Sequence, residues 1–167
     1  MQNEMEVIHS AVHRAVMIAE ESFSSSWPDA QALIRLHWEE VATDHDIPLS
    51  VDVAFYQKAE AAGQLCILTA RHGDGAMVGY AMYLISRNLH YSQSLQAKQD
   101  VLYVHPTNRG AMVGIRLIAA SERTLRDRGC QVVYHHVKVQ HPILGALLAR
   151  KGYQHVEQIY AKRLDQE

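Results

Sequence analysis

"LYVHPTNRGAMVGIRLI", residues 102–118, passes from an apolar, strand-like run through a polar turn into apolar residues at helical spacing. Arg109, Gly110 and Gly114 stand at the junction. The front of a helix exposes unpaired N–H groups and a partial positive charge. Small residues there let a phosphate approach, and an arginine adds a fixed cation. The stretch is a candidate anion site, best matched to a diphosphate. An ordinary strand-to-helix turn is the plain alternative. Two other phosphate motifs fail: GxxxxGK[ST] is absent, and Gly110 and Gly114 lack the third glycine of GxGxxG.

Strand and helix patterns alternate on both sides of this junction. "AVMIAEESF" (15–23) reads as a strand or as the end of a helix beginning near Glu4. Residues 24–44 read as a helix capped by Ser26, with Pro28 in its first turn and Asp29 closing a Ser-x-x-Asp box. Its apolar face holds Ala30, Leu33, Ile34, His37 and Val41. Residues 51–63 form a second helix stopped by Gly63. "LCILTAR" and "MVGYAMYLIS" are strands joined by the hairpin turn "HGDGA". A polar connection (87–98) leads to the strand "QDVLYVH" and then to a long helix over 109–129. Gly114, Ile118, Ser121 and Leu125 line one face of that helix, and Gly114 permits tight packing on the strand. The strand "CQVVYHHVKV", the short helix "HPILGALLARKG" and a closing strand "YQHVEQIYAKRL" complete the chain. This order predicts an α/β fold: a mixed, mostly antiparallel sheet flanked by helices on both faces.

The chain has 167 residues, 48% hydrophobic and 20% charged, which predicts one globular domain over residues 1–167 with a possible N-terminal extension at 1–14. The net charge of −2 gives no general attraction to nucleic acid. No window reaches 18 apolar residues, so no membrane span is expected. Cys66 and Cys130 lie in apolar runs without metal-type spacing, and the N-terminus lacks a signal-peptide core, so a reducing cytoplasm is expected.

The junction and its surroundings resemble the GCN5-related N-acetyltransferase (GNAT) family. That family's acetyl-CoA motif is Arg or Gln, two residues, Gly, one residue, then Gly or Ala. Here it reads Arg109-Gly110-Ala111-Met112-Val113-Gly114. "VLYVHP" resembles the family's fourth strand, and "HPILGALLARKGY" its fourth helix with the closing pair Gly152 and Tyr153. The general character is that of phage or prophage members. The resemblance implies acetyl transfer from acetyl-CoA to a primary amine, either a small molecule or a protein. The backbone of Leu102, Tyr103 and Val104 would pair with the pantetheine arm, and residues 109–114 would hold the diphosphate. A backbone N–H near a bulge in the fourth strand would polarise the thioester carbonyl. Arg150 is a candidate for the cofactor's 3′-phosphate, or a cation serving a helix end. His141 stands where many members carry asparagine. Two departures bear on activity: Met112 replaces a glycine, and Leu148 replaces a tyrosine that protonates the leaving thiolate. They support a second reading, a catalytically weak acyl-CoA-binding or regulatory protein.

An alkyl ammonium must lose a proton before it attacks, so a carboxylate or histidine is useful. Asp100, at the start of the fourth strand, is the first candidate; the alternative is a solvated carboxylate. His37 and Glu40 lie one helical turn apart, facing either the acceptor cleft or the core. His90, beside Tyr91, sits in the loop before the fourth strand. His135 and His136 would point to opposite faces of a strand, so no metal site is expected. His13, His72 and His155 are expected at the surface. The acidic stretch "WEEVATDHD" leans toward a cationic acceptor such as a polyamine, aminoglycoside or lysine. The apolar segment 5–19 is a candidate homodimer surface.

Overall fold

The computed structural model describes residues 15–165, so the proposed extension at 1–14, His13 and most of the candidate dimer segment lie outside the described residues. The chain divides into two compact units, Met1–His136 and Val137–Glu167.

The first unit is built on a five-stranded sheet of order β1-β2-β3-β4-β5. The strands are β1 (Val16–Glu20), β2 (Leu65–His72), β3 (Met77–Arg87), β4 (Leu95–Val104) and β5 (Val132–Tyr134). The first four pair antiparallel and β5 joins β4 in parallel. This is the mixed, mostly antiparallel sheet that the sequence predicts, and the ambiguous first segment is a strand.

Two helices cover one face: α1 (Phe23–Val41) and α2 (Val53–Ala61). They pack Phe23, Leu33 and Ala59 against Ile67, Tyr80, Met82, Val101 and Tyr103. The opposite face carries α3 (Val113–Asp127), which buries Val113, Leu117, Ala120 and Leu125 against Cys66, Leu68, Ala81, Tyr83 and Ala97. Burial pushes the Cys66 thiol up to about 12, so it packs as a small neutral hydrophobe. Both cysteines are free thiols.

Several boundaries move from their sequence-based positions. Helix α1 starts three residues before Ser26, because Phe23 is drawn into the core. Ser22 is the cap, accepting from the Ser25 N–H, and the buried Ser26 hydroxyl donates back to the Ser22 carbonyl at 2.8 Å. Pro28 lies inside the helix, and Asp29 pairs with Arg71 rather than closing a box. Arg71 also grips Glu21 through Nε at 2.7 Å, and this bond holds the Glu21 carboxyl below its ordinary range against the opposing effect of burial.

The polar connection is shorter than its composition suggests, because residues 95–98 already pair with Ile85, Ser86 and their neighbours in β3. Strand β5 spans three residues, leaving His135 and His136 beyond it.

The second unit contains α4 (Pro142–Arg150), ended by Gly152 at φ 91°. The expected closing strand does not form within residues 153–165. Apolar residues there fall at 153, 156, 159, 160, 161 and 164, which lacks the period of two that a half-buried strand needs. Val156, Ile159, Tyr160 and Leu164 are exposed. No helix of the described residues is long and apolar enough to cross a membrane.

Candidate active site

The site forms where β4 loses its partner. Strand β5 pairs with β4 only through Gln96, Ala97 and Lys98, opposite Val132, Val133 and Tyr134. Beyond Lys98 no described strand pairs with that edge, so Leu102, Tyr103 and Val104 have a neighbouring strand on the β3 side only. An extended ligand can add there as a strand would. On the β3 side, a Cβ on Gly79 would lie 2.8 Å from the Tyr103 carbonyl oxygen, so only glycine fits this close approach.

A bulge interrupts β4. Met82 faces Val101 while the next residue, Tyr83, faces Gln99, which leaves Asp100 as the extra residue. A bulge bends the strand and re-aims the side chain. Asp100 is therefore mid-strand rather than at the strand's start. It is exposed, and its Oδ2 accepts a 2.6 Å hydrogen bond from the Tyr56 hydroxyl of α2. Burial, then this bond to Asp100, raises the Tyr56 pKa, so the hydroxyl remains a donor through the neutral range. Tyr80 lies below, with its hydroxyl buried and without a hydrogen-bond partner. It borders a small apolar pocket walled by Phe23, Trp27, Met77 and Met82.

After Val104 the chain enters a 3₁₀ turn, Pro106–Ala111, and α3 begins only at Val113. Arg109, Gly110 and Ala111 thus precede the helix instead of opening it. Met112 is the hinge, at φ 57° and ψ 15°, the sole non-glycine with positive φ among the described residues. This left-handed conformation costs a side-chain-bearing residue about 1–2 kcal/mol. The glycine that the family motif places here would adopt it freely. Gly114 is not required for close packing, since a methyl there would meet Val104 at an ordinary 3.8 Å.

Arg109 donates from Nε to the Val104 carbonyl at 2.9 Å and pairs with Glu40 at 2.5 Å. Its guanidinium lies 5.6 Å from the centre of the Tyr103 ring. The hydrogen bond to Glu40, ahead of other causes, raises the Arg109 pKa, so the cation is fixed. Glu40 thus joins the cation rather than standing beside His37 alone. The His37 ring packs 5.1 Å from Tyr103. No side chain caps α3.

His90 is exposed in the β3–β4 connection, where its main-chain N–H donates to Asn88 at 2.8 Å; no described contact brings it to Asp100. His72 is only partly exposed, with Nε2 3.1 Å from the Asn108 amide nitrogen. His135 packs against Tyr83 and contacts Gln99 at 2.6 Å. No cluster of potential metal ligands occurs among the described residues. His141 precedes the first turn of α4 without a side-chain capping hydrogen bond and Arg150 ends the helix, both within the second unit.

Sequence reasoning missed Tyr56 and the Arg109–Glu40 pair. The adjacent aromatics Phe55 and Tyr56 on a short helix were the available signal for the first. Nothing local signals the second, whose partners lie 69 residues apart.

The fold is that of acyltransferases of known structure. A Trypanosoma brucei acetyltransferase matches with a TM-score of 0.66 at 19% identity, covering 90% of this chain and 100% of that one. The structure of AAC(6′)-Iy in complex with the bisubstrate analogue CoA-S-monomethyl-acetylneamine matches with a TM-score of 0.67 at 19% identity, covering 89% and 97%. Glucosamine-6-phosphate N-acetyltransferase from Arabidopsis thaliana matches with a TM-score of 0.68 at 14% identity, covering 90% and 99%. No curated protein matches the chain. The acetyltransferase (GNAT) family profile matches residues 18–153, and the chain belongs to that family.

Proposed function

We propose that the protein transfers the acetyl group of acetyl-CoA to a primary amine. The observation that carries this reading is the unpaired β4 edge, which leads through a fixed arginine to a helix start without a side-chain cap. These residues suit the donor's chemistry. The main chain of Leu102, Tyr103 and Val104 would hold an extended arm. Arg109 and the first N–H groups of α3 would hold a diphosphate. When bound, acetyl-CoA supplies an acetyl group activated as a thioester. The main chain at the Asp100 bulge would offer N–H donors to its carbonyl oxygen.

Asp100 is the proton acceptor of this proposal. It takes a proton from the acceptor ammonium, freeing the nitrogen lone pair. Glu40 serves Arg109, and His37 packs on Tyr103, so neither is assigned the proton work. Two free thiols suit a reducing compartment. AAC(6′)-Iy and the Arabidopsis protein have amine acceptors in their descriptions, which supports the acceptor class but not its identity.

Met112 favours the second reading, a weak acyl-CoA binder, because it strains the turn that leads to the diphosphate site. Thiol release from acetyl-CoA separates the two. Release with spermidine, kanamycin or a lysine peptide supports transfer. Calorimetric binding of CoA without release from any of them supports the binder.

A further inference from the structure

We propose that Tyr56 is a positioning residue that fixes the carboxylate of Asp100 for proton transfer. The inference rests on the acetyl-transfer reading above and adds a residue to it. The bulge leaves Asp100 without a cross-strand partner, so the strand alone does not fix its side chain. Tyr56 supplies the missing constraint, donating to one carboxylate oxygen at 2.6 Å, a length typical of a hydroxyl on a charged acceptor.

The tyrosine is itself held. Its ring stacks on Phe23 with centroids 5.3 Å apart and an interplanar angle of 17°. Phe55 meets it edge-on at 5.5 Å. Phe23 is 2% exposed, and its N–H donates to the Glu60 carboxylate of α2. Glu60, Phe23 and Tyr56 therefore tie both helices of this face to the bulge. An ordinary packing tyrosine would need neither the hydroxyl nor this alignment.

The chemistry assigns separate tasks to the two carboxylate oxygens. Oδ2 is occupied by the Tyr56 O–H, which keeps its proton throughout. Oδ1 accepts the proton from the acceptor ammonium, giving a neutral amine and a carboxylic acid. The amine lone pair then forms the C–N bond as the C–S bond breaks and the thiolate departs. The acylated nitrogen then loses its second proton to the departing thiolate by way of solvent, giving a neutral amide and a thiol, and Asp100 returns the first proton to solvent.

The test uses the full chain and the variants Y56F, D100N and Y56F/D100N. Y56F keeps the ring and removes one oxygen, so folding is preserved and checked by Tm. With whichever of spermidine, kanamycin or the lysine peptide releases thiol, Y56F lowers kcat about 10-fold, the loss expected for a hydrogen bond to a charged group. KM for acetyl-CoA stays within about twofold, because only the proton step is affected. The double variant is no slower than D100N, since the tyrosine acts through the carboxylate. In a crystal structure of Y56F, Asp100 spreads over more than one conformer.

An unchanged kcat in Y56F with a slow D100N overturns the positioning role and leaves the transfer reading intact. Additive losses also overturn it. If no amine in the panel releases thiol, the transfer reading fails, and the Asp100 conformers in Y56F alone decide the positioning: one fixed conformer contradicts it.

Discussion

On one face of the sheet, α1 and α2 close their own starts. Ser22 accepts from the Ser25 N–H, Glu60 from the Phe23 N–H and Asp52 from the Phe55 N–H. On the other face, α3 begins at a strained methionine with no side-chain cap. Capping contributes about 1 kcal/mol, and a left-handed methionine costs a similar amount, so α3 forgoes stability twice at one place. The carboxylates divide less cleanly, because Glu40 of α1 reaches Arg109. Glu60 and Asp52 serve backbone on the α1–α2 face, and Asp100 is held by a tyrosine. Ahead of α3 a guanidinium stands, tied to the Val104 carbonyl and to the Glu40 carboxylate. One face is finished by its own side chains, with Asp100 held at the bulge. The other leaves the start of α3 without a side-chain cap.

Substitutions at the two ends should separate them. The largest effect is expected for D100N, which removes the proposed proton acceptor. Its kcat falls about 100-fold or more while CoA affinity is unchanged. Stopped-flow or steady-state thiol release, with calorimetry for binding, checks the split. A large loss of CoA affinity in D100N would merge the two ends and break the comparison.

R109A is expected to do the reverse. It removes a charge-assisted contact and weakens CoA about 10-fold or more by calorimetry. Unchanged affinity would show that the guanidinium serves only Glu40 and Val104.

E40Q gives a smaller effect of opposite sign. Removing a negative charge beside an anion site tightens CoA by about two- to fivefold, because partly exposed pairs contribute 1 kcal/mol or less. Weaker CoA binding would mean that Glu40 orients the arginine rather than opposing the ligand.

M112G is the mildest change. Relief of the positive-φ strain, offset in part by the flexibility of glycine in the unfolded chain, raises stability by about 0.5–1 kcal/mol. For a chain of this size Tm rises by about 1–4 °C in calorimetric scans. A lower Tm would show that the methionine side chain contributes packing that offsets its backbone cost.

The sheet was legible in the sequence because β2 and β3 show long apolar runs with a glycine turn between them, and Gly63, Gly129 and Gly152 mark real helix ends at positive φ. The family motif was legible as well. Its geometry was not. A pattern of apolar spacing cannot distinguish a helix at Arg109 from a 3₁₀ turn followed by a helix at Val113, because the buried residues that carry the pattern, Val113, Leu117 and Leu125, all lie within the later helix. The bulge at Asp100 was hidden for a different reason: it exists only in the register between Met82–Tyr83 and β4. Tyr56 and Asp100 are 44 residues apart, and Arg109 and Glu40 are 69 apart. Tertiary pairing of that kind leaves no local trace. The final segment misled because its apolar residues lack the period of two, and apolar content alone does not make a strand.

The central claim is that the uncapped start of α3 and Arg109 form the diphosphate site. A crystal structure of the protein with CoA tests it most directly. The account predicts diphosphate oxygens within about 3 Å of the Arg109 guanidinium and the first main-chain N–H groups of α3, with the pantetheine arm along Leu102–Val104. A diphosphate bound elsewhere, with these N–H groups facing only water, would contradict it.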